Sequence, residues 1–243
     1  MKTTKDERSS TPDRARQPAM SDLNQRGAGG LAWALTAGSA LLLLLALVLL
    51  ALNRDLGWRA LSPHLFVVPG FVVVGLVLAL RRTGHPIGWL FVVMGLVAAI
   101  HAFAFEYGAR AYVTAPGPLP AAAWLAWVAY WTWPLNLLGL ALLLLLFPDG
   151  RLPSRRWRIV PWLLGLSFAG ITLWTMLHPT VMNLGVFIAA NPAGITALDD
   201  RAIRGLGLVP GILVTTAVLV CSVACALAPF VRRRRARRSS ASS

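Results

Sequence analysis

Long unbroken apolar runs alternate with short polar joints along this chain, and the runs set its class. Six are long enough to cross a hydrocarbon layer about 30 Å thick at about 1.5 Å of rise per helical residue. They are Leu31 to Leu52, Leu61 to Leu80, Ile87 to Phe105, Ala121 to Phe147, Ile159 to Leu177 and Leu206 to Val231. Backbone amides in hydrocarbon must bond within their own segment, so runs of this length predict helices rather than strands. The expected fold is all-α, a polytopic membrane bundle of about six transmembrane helices. Pro63, His64 and Pro69 crowd the start of the second run, where proline is tolerated because first-turn amides have no helical partner. The first run is too long for a signal-peptide core and lacks a small-residue cleavage site, which predicts that it is retained. Val181 to Gly194 is apolar but too short to span, and reads as an interfacial or re-entrant piece.

The polar joints carry the charge. Side chains are 57% hydrophobic and 13% charged, outside the range of ordinary water-soluble domains, with a net charge of +14. Such a balance suggests nucleic acid only where basic residues form a stripe with interleaved aromatics, and here they sit in tails and loops beside apolar runs. Counting Lys and Arg on alternate sides gives 18 on one side and 5 on the other. The larger group holds the N-terminal tail, Arg81 and Arg82, Arg151, Arg155, Arg156 and Arg158, and the six arginines Arg232, Arg233, Arg234, Arg235, Arg237 and Arg238. Positive loops remain inside, so both termini are expected in the cytoplasm and the chain in the cell membrane. These arginines are topology anchors, each worth about 1 kcal/mol beside an anionic leaflet, which makes membrane lipids the expected partners. The expected organisation is a disordered cytoplasmic tail over 1–30, the helical domain over 31–231 and a basic tail over 232–243. Met20 is an alternative start.

Little in the apolar runs carries chemistry. Glu106 is the only carboxylate near a helix core, where ionisable groups are costly enough to prompt a functional reading. The plainer reading is a pair with Arg110, four positions later on the same helix face, or exposure at the interface. His101 precedes Glu106 by five residues and so lies on a different face, with a hydrogen bond inside the bundle as its ordinary role. His64 and His178 adjoin prolines at helix ends and read as solvated, while His85 belongs to a short loop. Four scattered histidines without ligand spacing predict no metal site and no cofactor. Trp124, Trp127 and Trp131 recur at helical spacing beside Tyr130 and Trp133. An aromatic belt at the headgroup level is the plain reading. The sharper one is a groove for a hydrophobic ligand or lipid, to which Pro134 and Asn136 add a kink and a polar group. Cys221 and Cys225, and Gly207 with Gly211, read as packing residues.

Leu146 to Arg158, LFPDGRLPSRRWR, ends an apolar run in a Pro-Asp-Gly turn followed by four arginines. Asp149 has no acid, His or Cys nearby to build a catalytic site. With RRTGHPIGWLFVVMG before it and EYGARAYVTAPGPLP between, this segment resembles the N-terminal membrane region of actinobacterial two-component sensor histidine kinases. The likeness spans about Arg81 to Trp162, and His85 stands where that family more usually has Asn, a better helix cap. The resemblance implies a signal-input role. RRRRARRSSASS offers no phosphoacceptor histidine and no room for an ATP-binding domain, so no kinase activity is expected of the chain. Two functions are carried forward: a sensor-like input module working with a separate kinase, and a structural or assembly partner of another membrane protein, either of them compatible with a homodimer. A transporter ranks behind both, because mid-helix polar groups are few.

Overall fold

Residues 11–81, 85–147, 150–152, 154–179, 181–199 and 216 are described by the computed structural model of the chain. They form five long helices: α1 (Thr11–Leu52), α2 (His64–Arg81), α3 (Pro86–Ala109), α4 (Ala122–Leu146) and α5 (Ile159–Leu177). A two-stranded hairpin follows, β1 (Met182–Asn183) and β2 (Ile188–Ala189), antiparallel with Met182 opposite Ala189. Each long helix contains a segment long and apolar enough to cross a membrane. A sixth run, Leu206 to Val231, lies outside the described residues, as do Arg82, the two C-terminal cysteines and the arginines after Val231.

Four of the five apolar runs match their helices to within a few residues, because length and hydropathy alone fix such spans. The exception is α1, which begins at Thr11, inside the stretch whose low apolar content predicts disorder. Arginine, alanine, glutamine and methionine between positions 14 and 20 favour a helix locally, which a count of apolar residues does not register, while Pro18 among them works against it.

The bundle is organised around α3. Of its most apolar window 56% is buried, against 17% for α1 and α5. Helix α3 packs on α1, α2 and α4, and α5 packs on α4. The contacts are made by small residues: Ala46 with Ala102, Val68 with Ala98 and Ala99, Ala79 with Val92. Large side chains point outward, including Leu44 (61% exposed), Phe66 (72%) and Trp162 (79%). Small inside and large outside is the arrangement of helices in lipid, where backbone proximity and dispersion hold neighbours together and no water needs excluding.

Helices α2 and α3 approach most closely. A Cβ placed on Gly75 would lie 2.7 Å from the Val92 amide nitrogen, and one on Gly88 2.9 Å from that of Ala79. The antiparallel register therefore sets a glycine on each helix against the other's backbone, and no larger residue permits that distance.

At one end of the bundle, α3 widens into a π-helical turn at Arg110–Thr114, with the Ala115 amide bonded to the Arg110 carbonyl at 3.0 Å. The hairpin covers that same end. Phe187 sits directly over Gly108, its ring 5.8 Å from that of Phe105 and stacked 5.6 Å from Tyr112. The apolar piece from Val181 thus folds as a hairpin on α3 and α4, with Met182 and Ala189 buried among Ala104, Ala126 and Ala129.

Candidate functional site

The hairpin end concentrates the polar chemistry of the described residues. Glu106 is fully buried on α3. Asn53, also fully buried, sits just past the last turn of α1, with its amide bonded to the Leu49 carbonyl at 2.8 Å. Its Nδ2 donates to the Glu106 carbonyl at 2.9 Å and to Glu106 Oε2 at 3.1 Å. Thr114 Oγ1 donates to Asn53 Oδ1 at 2.7 Å and accepts from Arg110 Nη1 at 3.3 Å. Arg110 also donates to the Leu52 carbonyl at 3.1 Å, placing a cation on orphan acceptors at the end of α1.

The four-residue spacing of Glu106 and Arg110 predicts an ion pair, and the structure makes a different one-directional chain, Arg110 to Thr114 to Asn53 to Glu106. The reason is tertiary. The end of α1 offers Arg110 a carbonyl and offers Glu106 an amide, so both side chains leave their own helix face for a neighbour. The Ser62 amide faces the same carboxyl, yet Glu106 Oε1 has no hydrogen-bond partner.

Beside this node two histidines meet. His64 opens α2 and His101 lies mid-way along α3, and their ring centroids are 3.8 Å apart at 40°. Reading His64 as a solvated loop residue overlooks α3: the turn at Ser62 and Pro63 carries the ring back over it, half-buried, with Nδ1 3.3 Å from Ser62 Oγ. His101 is buried, with Nδ1 3.1 Å from Thr132 Oγ1 on α4. The Thr132 hydroxyl has one proton, which it gives to the Val128 carbonyl at 2.7 Å. It therefore accepts from His101 Nδ1–H, and in the neutral ring Nε2 carries the lone pair.

A cavity of about 350 Å³ opens at the pair, with Tyr130, Trp133 and Asn183 among its other walls. A second cavity of about 270 Å³ shares Pro63, His64 and Trp133 with it and continues between α2 and α4 past Phe71, Asn136 and Leu140. The first is mixed in character and the second almost wholly apolar. Asn136 Nδ2 and Oδ1 are buried in that apolar wall without a hydrogen-bond partner.

Of the residues picked out from the sequence, His101 and Asn136 line this composite groove, and Glu106 lies next to its wall residue Phe105. Trp124, Trp127 and Trp131 do not line it. They form an edge-to-face series with centroids 5.7 and 5.6 Å apart, and Trp127 Nε1 donates to the Met176 carbonyl of α5 at 2.9 Å. The groove takes Tyr130 and Trp133 instead, from the other side of α4. Asn53, Ser62, His64, Thr114 and Thr132 carry no sequence signal of their own, since their roles come from contacts between distant segments.

At the opposite end, Gly150 has φ +68°, the left-handed conformation that closes α4, and its amide bonds to the Leu146 carbonyl at 2.8 Å. A Cβ there would stand 3.0 Å from both His85 and Pro86, so Gly150 rests on the entry to α3. Arg81, Arg151, Arg155, Arg156 and Arg158 are exposed at this end. Among the described residues no group of three or more His, Cys, Asp or Glu is placed to hold a metal ion.

A mostly helical bundle with five helices suited to a membrane, and a two-chambered groove near one end, defines the class. No family model, curated protein or solved structure matches the chain.

Proposed function

We propose that the chain spans a bilayer with its arginine-rich end in the cytoplasm and acts as a ligand-receiving input module of a signalling system. It senses and relays and catalyses nothing itself. The observation carrying this reading is the groove at the His64–His101 pair, of the size and mixed lining that small-molecule sites have. One helix joins it to the other end: α3 holds His101 and Phe105 in the cavity wall and begins at Pro86, against which Gly150 rests. A molecule lodged between α2, α3 and α4 that favours one packing of these helices would bias the junction at His85 and Gly150. The likeness of Arg81 to Trp162 to sensor kinase membrane regions supports the same role, with a separate kinase as partner.

The test replaces the chromosomal copy with Trp133→Ala in the native host. The input-module reading expects the same limited set of transcripts to change in this strain and in a deletion strain, at unaltered membrane abundance of the chain. An unchanged transcript profile at full abundance refutes it.

A second reading, an assembly partner, takes the exposed apolar stripe of Ile159, Trp162, Leu166 and Leu173 on α5 as the seat of a neighbouring membrane helix in place of lipid. It expects capture in mild detergent to recover one stoichiometric membrane protein, lost on Trp162→Ser with Leu166→Ser. Recovery of a lone chain removes it.

A further inference from the structure

We propose that the groove takes a single-chain amphipath whose head is an uncharged, planar, hydroxyl-bearing group, with the hydroxyl donating to His101 Nε2. This rests on the reading of the groove as a ligand site and adds the chemistry of its occupant.

Three features select that chemistry. The first is charge: among the described residues no Asp, Glu, Lys or Arg lines either chamber, so a phosphate, carboxylate or ammonium head would be desolvated without a counter-ion. The second is hydrogen bonding. Thr132 holds His101 as the Nδ1–H tautomer, so Nε2 is an acceptor whose complement is a donor. Ser62 Oγ meets His64 at Nδ1, which leaves its Nε2 for the far side of the head. The third is shape. Phe105, Tyr130 and Trp133 give the upper chamber aromatic walls suited to a flat ring, and the chamber continues past Trp133 into an apolar channel suited to one hydrocarbon chain. Partway down that channel the unpartnered Asn136 amide offers a second polar contact, which a chain bearing an ether or carbonyl oxygen would satisfy.

Bound this way, the molecule adds a contact between α2 and α4 to the close packing of α2 on α3. Its head touches α2 through His64 and α3 through His101, and its tail lies between α2 and α4, so occupancy couples α2 to the α3–α4 pair.

The experiment uses the full chain in detergent micelles and native mass spectrometry with three probes of equal chain length. They are para-dodecylphenol, para-dodecylanisole, in which the donor proton is replaced by methyl, and dodecanoate. The expected result is a one-to-one adduct with the phenol, held about tenfold more tightly than the anisole, as loss of one buried hydrogen bond implies. Dodecanoate should bind more weakly than the phenol. His101→Phe should erase the difference between phenol and anisole, and His101→Gln, which keeps an acceptor, should restore part of it. Equal retention of phenol and anisole by the unaltered chain overturns the hydroxyl-head proposal while leaving the groove as a ligand site. A preference for dodecanoate overturns it likewise. Binding of none of the three removes both the proposal and the groove reading. The phenol-to-anisole comparison needs no variant, so a poorly folding His101→Phe does not blunt it.

Discussion

Adding a single methyl group to α2 has opposite expected effects at two glycines five residues apart. At Gly75 a Cβ would meet the Val92 nitrogen at 2.7 Å, the Phe91 carbonyl carbon at 3.0 Å and Phe91 Cβ at 3.1 Å. Two of these three atoms are backbone, so no rotamer change relieves the clash. Restoring an ordinary 3.4 Å contact parts α2 and α3 locally by about 0.7 Å, and gaps of about that size forfeit a quarter to a half of the dispersion energy across them. Overpacking of this kind costs about 1–3 kcal/mol, opposed by at most about 1 kcal/mol of improved helix propensity. Gly70, on the same helix, has nothing within 4 Å of its added Cβ, so only the propensity gain remains. Thermal unfolding in one detergent, followed by circular dichroism, should show Gly75→Ala with a lower Tm than the parent and Gly70→Ala with an equal or higher one. A Gly75→Ala chain as stable as Gly70→Ala would refute the close α2–α3 contact, and with it the placement of His64 against His101.

Four further variants probe other parts of the structure. Asn53→Ala removes the donor to both the carbonyl and Oε2 of Glu106 and the acceptor of Thr114, and should lower stability by about 2–3 kcal/mol. Glu106→Gln keeps an acceptor for Asn53 and should stay within about 1 kcal/mol of the parent, and unfolding that ranks these two in reverse order contradicts the node. Ala121, the N-cap of α4, has φ 56°, a conformation costing a non-glycine residue about 1–2 kcal/mol, so Ala121→Gly should raise Tm by about 2–4 °C. Phe187→Ala withdraws the ring that seats the hairpin over Gly108. Hydrogen exchange should then quicken from Met182 to Ala189 while α2 and α3 keep their protection, and unchanged exchange in the hairpin counts against that contact.

Asn53 and His64 show where sequence reasoning stops. In the sequence Asn53 is a polar residue after an apolar run, and His64 a histidine between two prolines. Each becomes part of a site only because α1 ends and α2 begins beside α3, bringing Asn53 to a carboxylate 53 positions away and His64 to the ring of His101. Arg110 and Glu106 illustrate the converse, since an isolated helix would pair them and its neighbours do not. Gly75 heads a Gly-x-x-x-Ala pair with Ala79 on α2, a pattern common in membrane helices, whereas Gly88 has no small residue four positions on in α3; neither names the helix it faces.

By itself the amino-acid order determined what a one-dimensional quantity can determine. Hydropathy summed over about twenty residues fixes a helix that crosses hydrocarbon, so α2 to α5 are legible to within a few positions. The basic joints likewise single out one end of the bundle, and the Pro-Asp-Gly turn marks where α4 stops. Which helix lies at the centre, which side of α4 turns its aromatics to the groove, and which polar atoms meet at the hairpin end were decided only in three dimensions. Apolar side chains suit lipid and bundle interior almost equally well, so hydropathy cannot sort one face from another. Backbone proximity at glycine and alanine, together with hydrogen bonds between distant segments, does that sorting.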